Sequence, residues 1–210
     1  MPNSKFYTLW IALSLIVVFV LQLVINGFTD IFVLNENSVS QIWRFATAIF
    51  LHGGFAHLLY NLFALLLFGL ILEETIGSNK FLLVFIITGI LANMISFNFY
   101  PSSLGASGAI MGIIGTLAIL RPMMMVWAFG MVIPMALAAV IWVAGDLIGA
   151  ASYLAGTPID NTGNIAHISG IAFGAIFGII LRSIRKKQEK RHKIEVPEHM
   201  MRRWETLYMD

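Results

Sequence analysis

The run LGASGAIMGIIG, residues 104–115, decides how this chain is read. A single serine, Ser107, sits between glycines in an otherwise apolar stretch, and Gly108 and Gly112 form a GxxxG step. Small residues at that spacing let two membrane helices bring their backbones close together. A second such stripe runs through Gly170, Gly174 and Gly178. Two other apolar stretches carry polar groups: LHGGFAHLLYN at 51–61 holds His52, His57 and Asn61, and NIAHISG at 164–170 holds His167. Polar and ionisable groups in such surroundings are costly and usually face a bundle interior or a water-filled cavity.

Composition sets the class. Of 210 residues, 59% are hydrophobic and 11% charged, against about 25% charged in ordinary globular chains. A membrane protein follows. The chain has no cysteine, which excludes disulfide scaffolds and thiolate-ligated metals. Its net charge is +2, with the basic residues gathered beside a span, so nucleic acid is not an expected partner. The first apolar run, 6–25, is long enough to span and lacks a cleavage site, so it is expected to be retained.

The pattern predicts an all-α polytopic bundle of six transmembrane helices, near 6–25, 55–72, 80–97, 107–120, 123–145 and 164–181. The fourth is short, and the first loop, 26–54, lies at the interface through its segment 41–46. Residues 1–183 form the membrane domain and 184–210 a basic cytoplasmic tail, expected to associate with lipids of the inner leaflet. Six spans put both termini on one side. Lys5, Lys80, Arg121 and the nine basic residues from Arg182 onward fall on that side, and only Arg44 on the other. The positive-inside rule makes the terminal side cytoplasmic.

Depth then joins the polar stretches. With ~1.5 Å of rise per residue, Ser107 lies ~21 Å above Arg121 and His167 ~22 Å above Arg182. His57 and Asn61 bracket ~18–24 Å above Glu73. One level holds all four, roughly 8–10 Å below the outer surface of a core ~30 Å thick. The fourth helix is too short to cross alone, so the loop before it dips inward, where irregular backbone requires protein cover or water. A pocket open to the outer face follows.

A serine becomes a nucleophile when a base accepts its proton, and a histidine can then protonate the leaving amine. His57 and Asn61, at i and i+4, share a helix face. With the Ser107 N–H they supply donors for an oxyanion. Asp146 and Asp160 are expected near the outer interface and Glu73 near the inner one, which favours a Ser107–His167 dyad over a triad. Each residue also has a plainer reading. Ser107 can be a packing residue and His167 a satisfied interhelical hydrogen bond. His52, His57 and Asn61 can form a metal site, or two histidines can hold a haem. No carboxylate or thiol joins them, so no metal and no cofactor is expected.

These residues resemble the rhomboid intramembrane serine proteases. Gly105-Ala106-Ser107-Gly108 looks like that family's GxSG, and Ala166-His167 with Gly170 and Gly174 like its AHxxGxxxG. His52, His57 and Asn61 match HxxxxHxxxN, Trp43-Arg44 the WR pair, and Glu73 with Gly77 the end of the second helix. The resemblance spans residues 5–183 and implies a serine endopeptidase of the minimal six-helix prokaryotic form. It would cut single-span membrane proteins in or near the bilayer of the plasma membrane, from the extracytoplasmic side. Ser107 would be the nucleophile, His167 the base, and His57, Asn61 and the Ser107 N–H the oxyanion donors. His52, Arg44, Glu73, Gly105, Gly108, Gly170 and Gly174 would be structural, and the fifth helix a lateral gate. The aromatic residue that some members place four after the serine is Met111 here. A non-catalytic rhomboid-like protein that binds or routes membrane helices is the alternative.

Overall fold

The computed structural model describes residues 5–191 and 198–208. Part of the expected tail, 192–197 and 209–210, lies outside the described residues. The protein is an all-α polytopic membrane bundle. Its long helices are α1 (Tyr7–Val24), α2 (Phe55–Ile76), α3 (Ser78–Ser96), α5 (Met135–Leu154) and α6 (Asn164–Arg191). Among the described residues, five helices are long and apolar enough to cross a membrane. The shorter α4 (Ser107–Leu120) has 14 residues and lies at the centre, its positions 108–117 all buried. At about 1.5 Å per residue it reaches only ~21 Å, short of a ~30 Å hydrocarbon core, and residues 97–106 connect it to α3. α6 continues one helix past the expected end at 181 as far as Arg191, so the start of the basic tail is helical. A separate helix, α7, covers Glu198–Tyr208.

The glycine stripes are the seam between α4 and α6. A Cβ added at Gly170 would strike the Gly108 carbonyl oxygen, one at Gly174 the Gly112 carbonyl oxygen, and one at Gly115 the Ile171 carbonyl oxygen. On its other side α4 meets α3, where a Cβ on Gly112 would overlap Thr88 Oγ1. Thr116 Oγ1 donates across the seam to the Gly174 carbonyl at 2.9 Å. Backbones this close gain dispersion contacts that lipid cannot replace.

The first loop is tied down by buried polar groups. Arg44, 5% exposed, donates through Nη1 to the carbonyls of Asp30 and Val33, each at 2.7 Å, and through Nε to Gln41 Oε1 at 2.6 Å. Strand β1 (Leu34–Asn35) pairs antiparallel with β2 (Ser102–Ser103) in the loop before α4. The first loop therefore holds the approach to Ser107. At the opposite end, the Glu73 carboxylate accepts from the N–H groups of Tyr7 and Thr8 at 2.8 and 2.9 Å and from Thr8 Oγ1 at 2.7 Å. These are otherwise unsatisfied donors at the start of α1, where a negative charge also complements the helix dipole. In Glu73→Gln an amide N–H₂ replaces one acceptor and faces a donor. The expected loss is about 2–3 kcal/mol, the range for hydrogen bonds to a charged group. It is measured as a lowered unfolding midpoint in detergent, and an unchanged midpoint would refute it.

The fifth helix corrects the sequence reading. It does not run over 123–145. Residues Met125–Ala128 (β3) and Met131–Pro134 (β4) form an antiparallel hairpin, and the helix starts only at Met135. The two turn residues, Phe129 and Gly130, have φ of 54° and 78°, the left-handed pair that a two-residue hairpin requires. Met135 N–H donates to the Met124 carbonyl and Ala136 N–H to the Pro122 carbonyl, so the hairpin base caps α5. The later start carries Asp146 from the expected outer interface into the body of the helix.

Candidate active site

Ser107 is the first residue of α4 and is half-buried. Gly105 turns the chain into that helix with φ +125°, a conformation that L side chains rarely adopt. Its N–H donates to the Ala48 carbonyl at 2.9 Å. A Cβ at Gly105 would lie 2.9 Å from His57 Nε2 and 3.9 Å from Ser107 Oγ. Only a glycine leaves room for the His57 ring beside the serine.

Ser107, His57, Asn61 and His167 all line one cavity of about 1070 Å³. Tyr100, Ser102 and Asp160 from the α3–α4 and α5–α6 loops border it, at the end of the bundle where those loops lie. The four groups that the sequence sets at one level are thus brought to one space. No hydrogen bond joins Ser107 Oγ to His167, and catalytic hydrogen bonds commonly tighten only with substrate in place.

Their hydrogen bonds fix what each can still do. Gly53 N–H donates to His57 Nδ1 at 3.3 Å, so in the neutral ring the proton sits on Nε2, the nitrogen beside Gly105 and Ser107. Asn61 Nδ2 donates one hydrogen to the His57 carbonyl at 2.8 Å, and its second N–H stays available. His167 is held through Nδ1, 3.0 Å from Asp146 Oδ1, which leaves Nε2 to act. Ser107 Oγ has no hydrogen bond among the described residues. Other serines of the spans behave differently: Ser14, Ser169 and Ser183 each donate to the carbonyl four residues back. That is the usual fate of a hydroxyl in an apolar helix.

The Asp146–His167 contact overturns the expectation that no carboxylate stands at this level. Asp146 is 8% exposed and belongs to α5, a helix the sequence reading ended at Gly145. Asp160 does lie in the loop, where the Thr162 N–H, ahead of the Asn164 amide, holds its carboxyl below the usual range. A second group the sequence reading passed over is Gln22 of α1. Its amide accepts from the His52 N–H at 2.9 Å and donates to the His52 carbonyl at 3.1 Å, clamping that backbone. A glutamine in an otherwise apolar first span was the available signal.

His52 is 2% exposed and packs edge-on to His57 with ring centroids 5.1 Å apart. Burial first, and the neighbouring His57 second, lower its pKa to about 4, so the ring is neutral near pH 7. Among the described residues, no group of three or more His, Cys, Asp or Glu converges as metal ligands do. Met111 lines the same cavity as His167.

A Rhomboid domain family model matches residues 39–184. Rhomboid protease GluP of Bacillus subtilis is 41% identical over 128 residues, 55% of this chain and 25% of that protein. RHOMBOID-like protein 6, mitochondrial, of Arabidopsis thaliana is 33% identical over 144 residues, 68% of this chain and 44% of that protein. Rhomboid protease GlpG of Haemophilus influenzae is 32% identical over 155 residues, 72% of this chain and 76% of that protein. The chain thus spans a quarter of the first relative, under half of the second and about three quarters of the third. With a family model over most of its length and a relative matched over most of both chains, this protein belongs to the rhomboid family.

Proposed function

We propose that the protein is an intramembrane serine endopeptidase that cuts peptide bonds in or near the transmembrane segments of membrane proteins. The observation that carries this reading is a set of unused groups in one cavity. Among the described residues, Ser107 Oγ, His167 Nε2 and His57 Nε2 have no hydrogen-bond partner, and Asn61 keeps one N–H. A packing serine or a satisfied interhelical histidine would not leave that capacity open beside the others.

Ser107 Oγ attacks the scissile carbonyl carbon as His167 Nε2 takes its proton. The Ser107 N–H, His57 Nε2–H and the free Asn61 N–H receive the oxyanion. His167 passes its proton to the amide nitrogen, the C–N bond breaks and the amine leaves. Water then attacks the Ser107 ester, with its proton going to His167 and back to Oγ. His52, Arg44, Glu73, Gly105, Gly108, Gly170 and Gly174 act as structural support for these groups. The termini and the basic tail, 184–210, face the cytoplasm of a prokaryotic cell, and the cavity opens on the other side of its plasma membrane.

The reading is tested with a fluorophosphonate probe that phosphonylates an activated serine. Ser107 is expected to be labelled in the intact protein, with labelling falling at least about 100-fold in His167→Ala, as for loss of a general base. A folded protein that takes up no probe, or equal labelling in the variant, would sink the Ser107–His167 assignment.

A further inference from the structure

We propose that α7 lies flat on the membrane beside its own bundle, with one face set into a leaflet of anionic phospholipid. The proposal needs only that α6 spans the membrane and does not depend on the protease reading. Three observations lead to it.

The first is the face that α7 presents. At 3.6 residues per turn, Met200, Met201, Trp204, Leu207 and Tyr208 fall within an arc of roughly 120°. Charged and polar residues, Arg202, Arg203, Glu205 and Thr206 among them, occupy the rest of the circumference. Each of the five is more than half exposed, and no residue of α7 is buried. The polar side supports itself. Arg202 pairs with Glu198 one turn back at 3.6 Å, and Glu198 in the first turn complements the helix dipole. On the apolar side the Trp204 and Tyr208 rings touch each other, with centroids 5.3 Å apart, and none of the described residues covers them. A helix shorter than about 12–15 residues is marginal in water by itself. With 11 residues, α7 needs that face covered.

The second is the chemistry of the cover. Tryptophan and tyrosine favour the boundary between headgroups and acyl chains, where the ring is apolar and its polar tip stays wet. The face is also backed by charge. Between Arg182 and Lys193, seven basic residues accompany a single acid, Glu189. Such a cluster directly after a span is drawn to anionic headgroups. Attachment of a helix to a membrane surface sums buried apolar area and this attraction, and the end of the chain carries both.

The third is reach. α6 has 28 residues, or ~42 Å at helical rise, against a hydrocarbon core of ~30 Å. Its apolar run ends at Leu181, and the steps from Arg182 to Arg191 carry it ~14 Å further. The chain from Arg191 to Glu198 can extend over ~25 Å, enough to bring α7 back to the surface from which α6 emerged. A tethered helix meets that surface at a high effective concentration, an advantage that a freely diffusing protein partner lacks.

The test exploits the absence of cysteine from the chain. Leu207→Cys on the apolar arc and Thr206→Cys on the polar side are each made in the full chain and labelled with a small fluorophore. The protein is reconstituted in liposomes of phosphatidylcholine alone or of phosphatidylcholine and phosphatidylglycerol in equal parts. Lipids bearing a nitroxide near the headgroup quench a label seated at that depth. In the mixed liposomes the label at 207 should be quenched at least about twofold more than the label at 206, as for a helix lying in the interface plane. That difference should shrink in phosphatidylcholine alone and at ~1 M salt, where the screening length falls to ~3 Å. Lys186→Glu combined with Lys187→Glu should shrink it likewise, and Trp204→Glu should remove it.

Equal quenching at 206 and 207 in the mixed liposomes would overturn the proposal. A difference that is as large in phosphatidylcholine alone would overturn the anionic leaflet as the partner. A label at 207 that is shielded from an aqueous quencher yet untouched by the nitroxide lipids means a protein cover. That cover is a second copy if shielding fades as the protein is diluted in lipid, and the chain's own bundle if it persists. Either result would overturn the proposal.

Discussion

In Ser107→Ala, cleavage of a membrane-embedded reporter falls by about 10⁶-fold, the loss seen when a triad serine is removed, while the fold is unaffected. Both halves follow from the surroundings of one oxygen. Ser107 Oγ has no hydrogen bond, so its removal orphans no buried partner. Alanine is also the best helix former and suits the first position of α4. The unfolding midpoint should therefore stay within about 2 °C of the parent, as for substitutions that break no contact. The His57 and Asn61 donors remain, so the substrate still binds and KM changes little. Cleavage at an undiminished rate would exclude Ser107 as nucleophile, and a large drop in midpoint would show that it is a packing residue after all. Ser169 offers the contrast: its hydroxyl donates to the Ile165 carbonyl at 2.7 Å, and alanine there should leave catalysis intact.

Much of this site is legible in the sequence because depth in a membrane is nearly one-dimensional. A helix that crosses converts residue count into height, so Ser107, His167, His57 and Asn61 can be levelled by subtraction. The glycines add lateral information, since GxxxG stripes on α4 and α6 name the faces that touch, and the structure places those faces together. What subtraction cannot give is a span whose start is misread. Residues 123–145 are apolar throughout, and hydropathy does not distinguish a hairpin from a helix. One local signal did argue against a helix there: Pro134 in its interior removes a donor and clashes with the preceding turn. The alternation of the hairpin, with Val126 and Ala128 buried and Met125 and Trp127 exposed, is visible only in the structure. Starting the helix after Pro134 moves Asp146 inward, where it lies 3.0 Å from His167 Nδ1. The resemblance made Arg44 structural, but what it holds was hidden. Its carbonyl partners at Asp30 and Val33 come from a loop whose path no periodicity describes.

Gly174→Ala tests the seam that brings Ser107 and His167 to one cavity. The added Cβ has no room, because it would overlap the Gly112 carbonyl oxygen and would also press on the Gly112 Cα, 2.8 Å away. Backbone cannot rotate aside as a side chain does, so α4 and α6 must separate. Overpacking of this kind costs about 3 kcal/mol or more, which for a chain of this size lowers the unfolding midpoint by roughly 6–12 °C. Activity should fall as well. Ser107 precedes Gly108 on one face of the seam, and His167 lies three residues before Gly170 on the other, so a wedge one turn below tilts the two groups apart. The control is Gly145→Ala. Gly145 has no atom within 4 Å of an added Cβ, and alanine in a helix interior is favoured over glycine by about 0.8–1 kcal/mol. That variant should match or exceed the parent in stability. The paired outcome separates close packing from mere glycine content. Equal midpoints for the two variants would show that α4 and α6 do not meet through these glycines, and with that the placement of the serine beside its base would fall.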